Sequence, residues 1–95
     1  MFIISITVNS DVSDDERNEK FPFHAEWLKK YYEAGNFLIL GPCVGVDAHA
    51  GIIMARANSR EDLQKILAED CFYPHLASYE VKEFEPKFIA DGLLK

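Results

Sequence analysis

The chain has 95 residues with 16 Asp+Glu against 10 Lys+Arg, a formal charge of −6. That length holds one core and predicts a single domain over residues 1–95, excluding a two-domain enzyme. With 48% hydrophobic and 13% aromatic residues the chain is composed to fold. The acidic balance, with Lys29-Lys30 the only basic doublet, excludes the clustered cations that hold nucleic acid or an anionic membrane.

Phe2, Ile4, Ile6 and Val8 alternate with Ile3, Ser5 and Thr7, the period-2 pattern of a first strand. Residues 9–20 contain one aliphatic side chain, Val12, and read as a long solvated connection. Pro22 suits a first helical turn, and His24, Trp27, Leu28 and Tyr31 then recur at i, i+3, i+4, i+7, which predicts a first helix. Gly35-Asn36 ends it. The unbroken run Phe37–Leu40 predicts a second strand buried on both faces, stopped by Gly41-Pro42.

Residues 50–55, AGIIMA, predict a third strand. Ser59 with Asp62 has the form of a capping box, and Leu63, Ile66, Leu67 and Asp70 continue a helical stripe, so a second helix begins near Arg60. Residues 71–77 contain Pro74 and predict a turn or short helix. Residues 78–85 form a fourth strand with an exposed face or edge, closed by Pro86. The tail Lys87–Lys95 keeps Phe88, Ile89, Leu93 and Leu94 and is expected to dock on a surface.

The order β, α, β, β, α, β is the split βαβ arrangement, an α+β ferredoxin-like fold with a four-stranded antiparallel sheet and two helices on one face. Apolar residues on the other face then need a cover. A second copy of the chain supplies it most simply, so a homodimer is expected.

His24 projects along the apolar stripe of the first helix, and Asp70 extends that of the second. If the two meet, Asp70 accepts from one ring nitrogen and leaves the other free as a base. The alternative is structural: a satisfied histidine, and an aspartate capping the turn at Cys71. Ser5, with Thr7, faces either a polar pocket between sheets or an interface. Cys43 reads as buried filler. Cys71, His75 and His49 lack a metal-ligand spacing, and no phosphate loop, nucleophile elbow or dinucleotide fingerprint occurs, so neither metal nor cofactor is expected. With two cysteines read as reduced, no run long enough to span a membrane and no basic leader, a cytoplasmic location is the default.

In order along the chain, the opening FIISITV, the helix start PFHAEWL, the segment GNFLILGP, the helix beginning at Ser59 and the stretch DCFYPHLASYEVKEFEP resemble the YciI-like family. These are dimeric α+β-barrel proteins of the ferredoxin-like superfamily, related to muconolactone isomerase. The resemblance implies a His24–Asp70 pair in a cleft. It also implies small phenols or ring-derived acids as substrates, because one member type removes chloride from a hydroxylated ring and the isomerases shift a proton on a lactone.

On this reading the chain is a cofactor-free lyase or isomerase with His24 as base and Asp70 as its orienter. Trp27, Tyr31, Tyr73 and the Gly41-Pro42 turn shape the cavity around them. The alternative is a non-catalytic, small-ligand-binding or stress-related dimer. Cys71 stands where the family has proline.

Overall fold

The computed structural model describes residues 1–93. The elements are β1 (Phe2–Val8), α1 (Asp14–Glu33), β2 (Phe37–Pro42), β3 (Ala50–Ala55), α2 (Arg60–Leu67) and β4 (Ala77–Glu83). The four strands form one sheet in the order β2-β3-β1-β4, antiparallel throughout. This is the ferredoxin-like α+β arrangement that the element order predicts.

Pairing of Ile4 with Ile53 and Val81, and of Phe2 with Ala55, puts these residues on one face. That face meets Leu63, Ile66 and Leu67 of α2, Trp27 of α1 and Phe72 in a single core. The core is apolar because burying each such side chain contributes roughly 1.5–3 kcal/mol.

The structure departs from the sequence reading in the segment 9–20. Instead of a solvated connection, it is a short turn followed by the first two turns of α1. Ser13 caps the helix by accepting from the Glu16 N–H, three acidic residues fill the first turn, and Arg17 pairs with Asp14 at 2.9 Å. The lone aliphatic residue, Val12, is buried. Asn9 ties the turn to the far side of the fold, its N–H donating to the Leu76 carbonyl at 2.9 Å and its side chain to that of His75 at 2.6 Å.

Pro22 therefore lies inside α1, not in its first turn. Helix geometry set by the cap, the ion pair and Val12 outweighs the single backbone bond that the proline removes. Gly35, at φ +88°, ends the helix as expected.

β2 runs on to Pro42 as an edge strand. It is not buried on both faces: Phe37 is buried, whereas Ile39 is exposed. β4 is the other edge and starts one residue earlier than predicted, at Ala77. Ile3, Met54 and Ile39 share the face turned away from the helices, as do Ser5 and Ile52.

Phe88, Ile89 and Leu93 are exposed, so the described part of the tail does not bury its large side chains against the rest of the chain. Leu94 lies outside the described residues. No helix among the described residues is long and apolar enough to cross a membrane.

Ser13→Ala tests the longer helix: loss of the cap lowers stability by about 0.5–2 kcal/mol in urea melts. The same substitution in a solvated connection leaves the midpoint unchanged.

Candidate active site

His24 lies ten residues beyond the start of α1, in the middle of the helix instead of at its beginning. This position lets it meet a residue that follows α2. The second helix stops at Leu67, and the chain turns through Glu69 and Asp70, whose N–H donates to the Leu67 carbonyl at 3.1 Å. Asp70 is thus not in the last turn of α2 but beyond it, in a turn that aims its carboxylate back at α1.

His24 Nδ1 and Asp70 Oδ1 are 2.7 Å apart. The aspartate side chain is completely buried and the imidazole is 14% exposed. A buried carboxylate is tolerated only when its oxygens are satisfied. Here the second oxygen, Oδ2, accepts from the Tyr79 hydroxyl at 2.6 Å. With Asp70 an acceptor at both oxygens, Nδ1 is the protonated nitrogen of a neutral His24 ring, and Nε2 carries the lone pair.

Nε2 has no hydrogen-bond partner among the described residues, and every buried side-chain nitrogen and oxygen among them has one. It follows that Nε2 meets solvent. The ring is held by Trp27 and Phe72, with centroids at 5.6 and 5.4 Å.

A cavity of about 580 Å³ opens beside His24 between α1 and the β2–β3 hairpin. Its wall includes Phe21, Leu28, Leu40, Pro42, Ile53 and Phe72, and Gly41 and Cys43 also line it. At Gly51, which lines it too, a Cβ would sit 3.2 Å from the Gly41 carbonyl oxygen, so the close approach of β2 and β3 favours glycine there. The polar groups at the wall, besides His24, are Arg17, Asn18, Asp47 and His49.

Of the residues singled out in the sequence, the structure brings together His24, Asp70, Gly41 and Pro42. It places Trp27 in the core, with its indole N–H donating to the Ile66 carbonyl at 2.9 Å. Tyr31 donates to Glu69, which also accepts from Lys30 at 2.7 Å. That bond to Lys30 is the first cause holding the Glu69 carboxyl below its ordinary range.

Tyr73 packs against Tyr79 at 5.2 Å and Ser5 lies on the opposite face of the sheet, so Trp27, Tyr31, Tyr73 and Ser5 are not cavity-lining residues. Cys71, at the position of the family proline, donates its thiol to the Lys20 carbonyl at 3.3 Å and ties the Asp70 turn to α1. Burial pushes that thiol's pKa up, which disfavours a nucleophilic thiolate. Among the described residues no group of three or more His, Cys, Asp or Glu is placed to hold a metal ion.

Sequence reasoning missed Tyr79 and Arg17. The first was legible as an inward position, since Tyr79 and Val81 alternate with Ser78 and Glu80, and an inward phenol requires a partner. The second was hidden by assigning residues 9–20 to a connection, although Ser13-Asp14-Asp15-Glu16 has the spacing of a capping box.

Burial first, and then the bond to Asp70, keep the Tyr79 phenol protonated well above its ordinary value of 10.0. Above that pH the unfolded chain releases a proton that the fold retains. Stability from this group is therefore complete below pH 10 and falls as the pH rises further. Urea melts across this range will show an alkaline decline that Tyr79→Phe makes shallower. At pH 8 the same variant loses about 1.5–3 kcal/mol, because it removes a donor from a buried carboxylate.

None of the curated protein sequences matches this chain. Among solved structures, the 5-chloro-2-hydroxyhydroquinone dehydrochlorinase TftG from Burkholderia phenoliruptrix AC1100, in complex with 2,5-dihydroxybenzoquinone, is similar with a TM-score of 0.70. The two share 16% sequence identity over 90% of this chain and 94% of the other, a likeness of fold. The sequence profile described as YCII-related domain matches residues 1–85, and with that span the chain belongs to the YCII-related domain family.

Proposed function

We propose that the protein is a cofactor-free lyase or isomerase that abstracts a proton from a small ring-derived acid or phenol. The observation that carries this reading is the pairing of His24 with the fully buried Asp70 at 2.7 Å on the wall of a cavity of about 580 Å³. In it, Nε2 accepts a proton from an O–H or acidic C–H of the bound ring, and Asp70 stabilises the imidazolium through Nδ1–H. The electron pair released on the substrate either expels a leaving group from an adjacent carbon or is reprotonated at another ring position. Phe21, Leu28, Leu40 and Phe72 supply apolar walls that suit a ring.

The substrate class draws on the similar structure, whose protein is a dehydrochlorinase that holds a dihydroxybenzoquinone. Turnover is measured on chlorinated hydroquinones, hydroxybenzoates and lactone acids. His24→Gln lowers kcat by about 10²–10⁴-fold and Asp70→Asn lowers it in the same direction, while ligand affinity changes little. Binding to the wild type with no turnover of any member assigns the cavity to ligand binding alone, and turnover unchanged in both variants removes His24 and Asp70 from the chemistry.

We also propose that a second copy of the chain covers the sheet face bearing Ile39, Ile52 and Ser5. Ile39 and Ile52 are 45% and 40% exposed in the single chain, an apolar pair on a face otherwise open to water. Light scattering will give twice the chain mass for the wild type. Ile39→Lys combined with Ile52→Lys shifts it toward the monomer, and a monomeric wild type overturns the proposal.

A further inference from the structure

The reading of the cavity as a substrate site leaves one of its charged groups without a role. Arg17 lies on α1 seven residues before His24, and Phe21 falls between them; all three line the cavity. It is the only lysine or arginine among the lining residues. Its side chain is 18% exposed, against 85% for its partner Asp14, so the guanidinium lies against the protein while the aspartate stands in water.

Asp14 takes a single Nη1 donor at 2.9 Å. The guanidinium offers five N–H groups in a rigid fork. Nε and Nη2 make no hydrogen bond to any described residue, and no buried polar side-chain atom among these residues lacks a partner, so those donors reach solvent. They form an unfilled fork at the wall of an otherwise largely apolar cavity, in a chain whose net charge of −6 repels anions elsewhere. The other ionisable groups lining the cavity are His24 itself and, on the β2–β3 loop, Asp47 and His49. Asp47 disfavours an anion near the loop and so directs one toward α1.

We propose that Arg17 is the specificity-determining residue of this cavity, receiving a carboxylate of the substrate in its free fork while the reacting end of the ring lies at His24. This rests on the assignment of the cavity as a substrate site. Seven helical residues separate the two Cα atoms by about 10 Å along the axis. With the long arginine side chain covering part of that span, the ligand is a single ring carrying its acid group and its reacting group at separate positions. A planar carboxylate matches the fork, and its amide isostere replaces an accepting oxygen with a donor that the guanidinium cannot use.

Calorimetric titration with 4-hydroxybenzoate and 2,5-dihydroxybenzoate, each against its own amide, tests this without requiring turnover. The wild type is expected to bind each acid at least about tenfold more tightly than its amide, with the preference shrinking as salt is raised. Arg17→Gln abolishes the preference, Arg17→Lys retains part of it, and His24→Gln keeps it whole. Circular dichroism establishes that the variants fold.

Amides bound as tightly as acids by the wild type, no binding of either acid at millimolar concentration, or a preference that survives Arg17→Gln overturns the assignment. Should the acid preference depend on Arg17 while His24→Gln leaves turnover intact, the anchor stands and the acid/base reading falls.

Discussion

The burial of one carboxylate governs the site. Asp70 has no exposed side-chain surface, and removing a charge-bearing group from water costs several kcal/mol unless both oxygens are supplied with donors. The fold supplies them from two directions, an imidazole on α1 and a phenol on β4. Neither donor is near Asp70 in the regular part of its own element, since the residue lies past the end of α2. The turn after that helix is therefore held by the bonds it makes to α1 and β4. Cys71, bonded to the Lys20 carbonyl, adds a third tie beside it.

Two successive acidic residues thus reach α1 under opposite conditions. Glu69 is exposed and shared between Lys30 and Tyr31, an arrangement screened by water and of small worth to stability. Asp70, one residue later, is dry, and its hydrogen bonds are correspondingly strong and directional. The wet contact helps to register the helix against the turn, and the dry one fixes the tautomer of the His24 imidazole. Trp27 and Phe72 complete the second task by leaving the ring few orientations.

Strand alternation and helical spacing make much of this legible in the sequence. Phe2, Ile4 and Ile6 alternate into the core as the period requires, and His24 lies on the predicted stripe of α1, whereas Asp70, read as the end of the α2 stripe, is buried from a turn past the end of that helix. What spacing cannot supply is the identity of the surface across from a side chain. Trp27 and Tyr31 share the predicted stripe with His24, yet they face α2 and Glu69 and leave the cavity to others. Pro22 misled for a related reason: a proline at a helix start is a statistical preference, whereas the start here is fixed by the Ser13 cap and buried Val12. Losing those two turns concealed Arg17.

The geometry of α1 explains why a single residue can serve both core and cavity. At 3.6 residues per turn, angles about the axis measured from Arg17 put Phe21 at about +40°, Leu28 at about +20°, His24 at about −20° and Trp27 at about −80°. Arg17, Phe21 and Leu28 line the cavity with His24, and Trp27 is in the core. His24 stands on the core side of the cavity row, so the two faces of the helix meet at its ring. One nitrogen is turned to a fully buried carboxylate, and the other is left accessible to solvent. A residue one position away in either direction would rotate by about 100° and lose one of these environments, so the split between a dry, hydrogen-bonded nitrogen and a solvent-facing one follows from where the imidazole stands on the helix circumference.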